Sequence, residues 1–205
     1  GEVFGQDTKV QLHLIDISQM SDKVNAVLME IEDCAPPLLT RCVIASDQEL
    51  HIGFLDIDFA FLVGASPRLA GMERADLLSK NGAIFKQQGD ALNQYAKSSC
   101  QVLVVGNPCN TNCFIAMNHA PNIPNRQFFS MMMLDENRAR YQIAKKLDRP
   151  IKDIEDLYVF GNHSATQFPD YFNAHCQGKP LTNLLDEKWL SSEFVPLIQT
   201  RGAKV

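Results

Sequence analysis

The sequence predicts an α/β protein built on a mainly parallel sheet, for three reasons. Apolar runs at 10–16, 59–64 and 102–106 have strand length, and the last two end in glycine. Segments with helical spacing of apolar residues fill the intervals between them. Strands alternating with helices in this way favour parallel pairing with helices laid on the sheet faces.

Each element follows in order. Residues 10–16 alternate (Val10, Leu12, Leu14) and then run apolar into Asp16, as a strand would. Residues 18–33 carry Val24, Val27, Leu28 and Ile31 on one helical face, and Pro36-Pro37 stops that helix. A short strand is expected at 42–45. The uninterrupted apolar run at 59–64 has the pattern of a strand buried on both faces. Residues 65–73, with proline, glycine and charges but no periodicity, read as a loop. Residues 74–97 have helical spacing (Leu77, Leu78, Ile84, Phe85, Leu92, Tyr95), with a break expected near Gly82. A second buried strand is expected at 102–106, then a helix from Thr111 and a strand around 128–131. A helix at 134–147, a strand at 157–161 and a helix at 189–201 complete the series. The change from long parallel-type strands to mixed elements near residue 130 divides the chain into domains at 1–130 and 131–205.

Composition narrows the function. The 205 residues are 45% hydrophobic and 21% charged with a net charge of -5, values close to those of an average soluble domain. No run of lysine and arginine supports a nucleic-acid partner. No apolar stretch reaches the ~18 to 20 residues of a membrane span, and the first residues lack the basic start and apolar core of a signal peptide. The six cysteines are irregularly spaced; Cys109 and Cys113 form a C-x3-C pair without partner histidines, so no metal site is expected. Thiols of this kind favour a reducing, cytoplasmic setting.

Three segments carry candidate chemistry. Residues 64–74 follow a buried strand and contain Arg68 and Arg74. Ligands of open α/β sheets bind beyond the carboxyl ends of strands, and a guanidinium fork suits a carboxylate there; a solvated charged loop would look the same. Val105-Gly106-Asn107-Pro108 places an amide after the next strand, where proline fixes the turn; a purely structural turn asparagine is the alternative. Asp135 and Arg138 lie three apart on a predicted helix and so point the same way, while His163 follows a strand and a glycine. A carboxylate that orients a histidine, beside an arginine that holds an anion, would make a general acid–base site.

Taken together, the order P-R-x(5)-R, V-V-G-N-P-C-N-T-N-C, L-D-E-N-R-A and G-N-H-S-A-T-Q resembles the NAD-dependent malate dehydrogenases, most closely the cytosolic-type branch with its bacterial members. The similarity runs over essentially the whole chain. It implies a doubly wound Rossmann-type sheet, here incomplete, followed by the first part of an α+β substrate domain. It implies that His163 accepts the hydroxyl proton of malate while Asp135 holds its ring. Arg138 would grip the C1 carboxylate, Arg68 the second carboxylate with help from Arg74, and Asn107 would bond the substrate. Asp16 would bond the adenine ribose and favour NAD over NADP. Gly64, Ala65, Asn81, Gln88, Val105 and Gly106 would line the cofactor site.

The family's first strand and G-x-x-G-x-x-G turn have no counterpart here, nor do its last substrate-domain elements. The chain is therefore expected to be an internal fragment whose parent interconverts malate and oxaloacetate. A lactate dehydrogenase is the nearest rival, and Arg68 argues against it, because an arginine left unpaired beside a methyl group is costly. A non-catalytic relic that only dimerises is the rival from another class. The resemblance also implies a homodimer through the helices at 21–33 and 189–201, whose apolar residues (Val24, Leu28, Ile31; Leu190, Phe194, Leu197, Ile198) a monomer would leave wet.

Overall fold

The computed structural model of the protein describes residues 3–66 and 74–204, and these fall into two units. One runs up to Asn107 and takes in Thr111–Phe129; the other comprises Pro108–Asn110 and the chain from Ser130 onward.

In the first unit β1 (Val10–Asp16) pairs in parallel with β2 (Leu39–Ser46), and α1 (Ser21–Asp33) makes the crossover between them. Cys34 caps α1 through Glu30, and Ala35 turns into the left-handed region at φ 43°, so the chain has left the helix before Pro36. A short helix, α2 (Leu50–Gly53), packs on β1 and β2. Next, β3 (Phe59–Leu62) pairs in parallel with β4 (Gln101–Val104) across the long helix α3 (Arg74–Tyr95). From β4, α4 (Cys109–Asn118) leads to β5 (Phe128–Ser130), and the strand order of this second sheet is β3-β4-β5. The parallel α/β architecture is thus as expected, but β1-β2 and β3-β4-β5 are separately hydrogen-bonded sheets.

Several expectations for this unit need correction. β3 is not buried on both faces. Ala60 and Leu62 are buried, whereas Phe59 and Phe61 are 44% and 56% exposed, because the outer face of the strand is only partly covered, the Phe4 ring lying 4.8 Å from that of Phe59. An apolar run records only that both faces tolerate apolar residues, not that both are covered. The helix at Arg74–Tyr95 runs unbroken through Gly82, where a Cβ would meet Ile115 at an ordinary 3.6 Å. Its inner face is anchored by Phe85 and Leu92, both fully buried and each worth about 1.5 to 3 kcal/mol. Helix α4 starts at Cys109, two residues before the position read from the sequence.

The second unit is built on α5 (Met133–Leu147), which has acids in its first turn, Lys145 and Lys146 in its last, and a left-handed cap at Asp148. Three short strands follow in an antiparallel sheet: β6 (Ile154–Glu155) and, after the hairpin of β7 (Val159–Phe160) and β8 (Phe168–Pro169), β9 (His175–Cys176) and β10 (Lys179–Pro180). A helical run closes the unit: α6 (Glu187–Trp189), a π-type turn at Leu190–Phe194, and α7 (Val195–Thr200). Pro196 has no N–H to give the preceding turn, and the wider π-type turn absorbs that loss.

This closing helix also overturns an expectation. Leu190, Phe194 and Ile198 are not left wet: all three are fully buried in the unit's own core, with Ala139, Ile143, Leu157 and Leu181. Trp189 and Tyr171 pack against Phe194 at ring distances of 5.7 and 6.5 Å. On α1, by contrast, no residue is buried and Val27 is 45% exposed. The apolar spacing marks both helices; which surface each face meets is not in the spacing.

Candidate active site

Helix α5 carries a buried stripe at Asp135, Ala139 and Ile143, four residues apart. A carboxyl group therefore sits where the pattern calls for an apolar side chain, and such burial is costly unless hydrogen bonds compensate it. His163 supplies the bond: its Nδ1 lies 2.5 Å from Asp135 Oδ2. Because a carboxylate only accepts, Nδ1 carries the proton, and the neutral ring keeps its lone pair at Nε2. Arg138, one turn along, brings Nη1 to 3.6 Å from Asp135 Oδ1, an ion pair longer than a hydrogen bond. The first turn of the helix also favours a negative side chain at Asp135.

His163 itself sits in the turn of the β7–β8 hairpin, in which Val159 pairs with Pro169 and Phe160 with Phe168. Gly161 opens the turn at φ 91°, a conformation that L side chains rarely adopt; a Cβ there would also press on Thr166 O at 3.0 Å. Ser164 shapes the turn through its N–H to Asn162 O, its Oγ with Thr166 Oγ1, and its carbonyl with Gln167 N–H. Gln167 fixes the far end, its carbonyl accepting from Gln199 Nε2 at 2.8 Å. The acid, the histidine and the arginine singled out in the sequence are thus brought together within one unit.

In the first unit several of the remaining candidates lie at strand ends and two, Asn81 and Gln88, on α3. Asp16 closes β1, is exposed, and its Oδ1 accepts the Ile17 N–H at 2.7 Å. Asp47, not singled out in the sequence, follows the end of β2 and accepts from both the N–H and the hydroxyl of Ser18, which ties down the turn after Asp16. Those two Ser18 bonds hold the Asp47 carboxyl below its ordinary value. Gly64 and Ala65 leave β3, Val105 and Gly106 leave β4, and the N–H groups of Val105 and Gly106 both donate to Leu62 O. A Cβ on Gly106 would be crowded at 3.0 Å by Ala65, Phe85 and Val63 O, so the two strand ends approach closely because of that glycine.

Asn81, on α3, is fully buried and its amide is spent inside the unit. Its Oδ1 accepts from Ser66 N, and its Nδ2 donates to Ser66 O and Asn107 O. It ties the turn after β3 to the turn after β4, and its contribution to any ligand site is through those turns. Asn112, also fully buried, does similar work by donating to Gly106 O at 2.8 Å. Gln88 has its Oε1 buried with no partner among the described residues. Among the described residues nothing comes within 4 Å of where a Cβ on Gly64 would stand. An orphaned amide oxygen, an exposed acid and open backbone at strand ends fit a dinucleotide. Arg68 lies outside the described residues, and Arg74 opens α3 with its side chain likewise outside them.

Comparison with known proteins bears directly on this arrangement. Residues 2–129 match the family model described as lactate/malate dehydrogenase, NAD binding domain, and residues 133–205 match the alpha/beta C-terminal domain of the same family. The chain belongs to the lactate/malate dehydrogenase family. Among solved structures it is similar to a malate dehydrogenase from Naegleria fowleri, at 40% identity and a TM-score of 0.93, over 100% of this chain and 62% of that one. It is equally similar to a Trichomonas vaginalis lactate dehydrogenase solved with NADH and oxamate, at 42% identity and a TM-score of 0.91, over 100% of this chain and 62% of that one. A Picrophilus torridus malate dehydrogenase, 22% identical with a TM-score of 0.77 over 98% of this chain and 61% of that one, shares the fold. The chain therefore spans about three fifths of the length of these relatives. Among the described residues no helix is long and apolar enough to cross a membrane, and no cluster of potential metal ligands occurs.

Proposed function

We propose that the protein carrying this chain is an NAD-dependent oxidoreductase that interconverts malate and oxaloacetate. The observation that carries the reading is the hydrogen bond from His163 Nδ1 to the fully buried Asp135. This bond leaves Nε2 able to accept the proton of a substrate hydroxyl, and Asp135 favours the imidazolium that results. Arg138, on the same helix face, holds the C1 carboxylate, Asn107 bonds the substrate, and Arg68 with Arg74 receives the second carboxylate. NAD, when bound, supplies the hydride acceptor. Asp16 suits its adenine ribose, and Gly64, Ala65, Val105, Gly106 and Gln88 suit its lining, with Asn81 holding the turns that present them.

Similarity to a lactate dehydrogenase and to a malate dehydrogenase at nearly equal identity gives a lactate-type substrate a claim too. Arg68 separates the readings, because a dicarboxylate leaves one carboxylate over once Arg138 is used. Losing a charge-assisted hydrogen bond of this kind costs roughly 1.5 to 3 kcal/mol, about 10- to 150-fold in kcat/KM. Arg68→Gln in the full-length protein is expected to lower kcat/KM for oxaloacetate with NADH by that much and to leave pyruvate nearly unaffected. Equal losses on both substrates, or faster reduction of pyruvate by the unsubstituted protein, would sink the malate assignment.

Assembly is part of the same proposal, on a narrower footing than the sequence suggested. The half-buried Val24, Leu28 and Ile31 of α1 beside the exposed Val27 support a homodimer through this helix. Sedimentation of the full-length protein at micromolar concentration is expected to give twice the chain mass, and Leu28→Glu to halve it. A monomer before substitution would exclude this interface.

A further inference from the structure

We propose that Asn110 is a positioning residue for His163, fixing the backbone from which the acid–base imidazole projects. The inference rests on the acid–base reading of His163 given above, and it concerns a residue that this reading leaves without a task.

A hydrogen bond to Asp135 fixes one end of the imidazole only. The other end is the Cα of residue 163, in a hairpin turn whose own bonds, Ser164 to Asn162 and to Thr166, stay within the turn and move with it. The backbone N–H of His163 reaches out of the turn instead, donating to Asn110 Oδ1 at 2.8 Å across 53 residues of sequence. Since a backbone N–H can only donate, the oxygen of Asn110 faces the histidine and its nitrogen faces away. That nitrogen lies 3.2 Å from both Ser130 Oγ and Met132 Sδ, in the segment that leads into α5 and hence to Asp135. One amide therefore ties the turn that carries the histidine to the lead-in of the helix that carries its carboxylate. Neighbouring Cys109 adds to the tie, its Sγ donating to Met131 O at 3.7 Å.

The chemistry of the position selects asparagine. It must accept at one end and donate at the other, with a side chain too short to swing between alternatives. Alanine removes both bonds and leaves the His163 N–H without its partner. Aspartate keeps an oxygen for that N–H, and the Ser130 hydroxyl can rotate to become the donor at the other end.

The experiment uses the full-length protein with Asn110→Ala and Asn110→Asp, measuring exchange of the His163 amide by NMR, kcat and KM for oxaloacetate, and the Kd for NADH. For Asn110→Ala, amide exchange should quicken by about 10-fold or more, as loss of one ordinary hydrogen bond implies. kcat should fall about 10- to 100-fold, because misplacing a reacting group by a fraction of an ångström carries that scale of penalty. KM and the NADH Kd should stay within about threefold. Asn110→Asp should restore amide protection and most of kcat. Amide exchange unchanged in Asn110→Ala, or a kcat within twofold of the unsubstituted protein, would overturn the proposal. Equal losses in both variants with a matching fall in Tm would also overturn it, by making Asn110 a stability residue only. If the unsubstituted protein reduces neither oxaloacetate nor pyruvate while the His163 amide is still protected in an Asn110-dependent way, the reaction assignment fails and the anchoring role stands.

Discussion

Asp135, which holds His163, begins a buried helix stripe that continues through Ala139 and Ile143 into a core shared with Phe194, Leu190 and Ile198 from the last helix of the unit. Asp16, Gly64 and Gly106 have a different support. They stand at the ends of strands in two separately paired sheets, and Ala45 is the one buried residue of β1 and β2. β3 buries Ala60 and Leu62 on one side and leaves Phe59 and Phe61 exposed on the other. The contrast teaches that the geometry of the proposed acid–base pair needs one unit and a handful of bonds. A dinucleotide surface needs the edges of a whole sheet, and its rigidity depends on how that sheet is backed.

The largest effect expected from this contrast is on turnover. His163→Asn in the full-length protein should cut kcat about 100- to 10,000-fold, the range of general acid–base catalysis, while NADH still binds. Near-normal turnover would break the acid–base reading, and loss of NADH binding as well would show that the two regions are not separable.

Packing comes next. Phe194→Ala is expected to destabilise the second unit by about 3 to 5 kcal/mol, and Leu62→Ala in β3 by about 2 to 5 kcal/mol. Phe61→Thr, one residue away on the exposed face, should change the stability of the 205-residue chain by no more than about 0.5 kcal/mol. Urea titrations of the three variants give the comparison. A cost for Phe61→Thr as large as that for Leu62→Ala would mean that the outer face of β3 is covered after all.

The smallest effect concerns the turn after Asp16. Asp47 has its carboxyl lowered by the two bonds from Ser18, so what it contributes is present above the ordinary carboxylate value of 3.8 and is lost as pH falls through the lower folded value. Asp47→Asn should therefore lower stability at neutral pH, and the gap from the unsubstituted chain should close below pH about 4, as thermal melts at several pH values would show. A gap that persists unchanged at acid pH would assign the effect to shape instead of charge.

The order of elements was legible because it depends on local periodicity: β1, α3, α5 and the closing helix all fall where apolar spacing put them. Their outward or inward faces were less legible. The same i, i+4 spacing marks Val24 and Leu28 on α1, half-buried, and Leu190, Phe194 and Ile198, fully buried, because spacing records that a face is apolar and not what meets it. Of the candidate site, Asp135 and Arg138 are legible as neighbours on one helix face and His163 as a histidine after a strand and a glycine, and the family motifs add the role of each. Asn110 escaped notice, since it bonds a backbone N–H, which every residue but proline carries and which therefore leaves no mark on the partner's identity. The family resemblance makes Asn81 a ligand-lining amide, and its bonds go to Ser66 and Asn107, 15 and 26 residues distant.

The sequence by itself determined the α/β class, the succession of strands and helices, and the residue types able to accept a proton and grip a carboxylate. Those follow from side-chain chemistry and from spacing within a few residues. Only the tertiary structure decided that Asp135 is buried against His163, that Asn110 holds the histidine's backbone, and that Asn81 turns inward to join two strand ends. These are contacts across 15 to 53 residues, and a polar side chain's partner at that range is set by where the packed elements bring it.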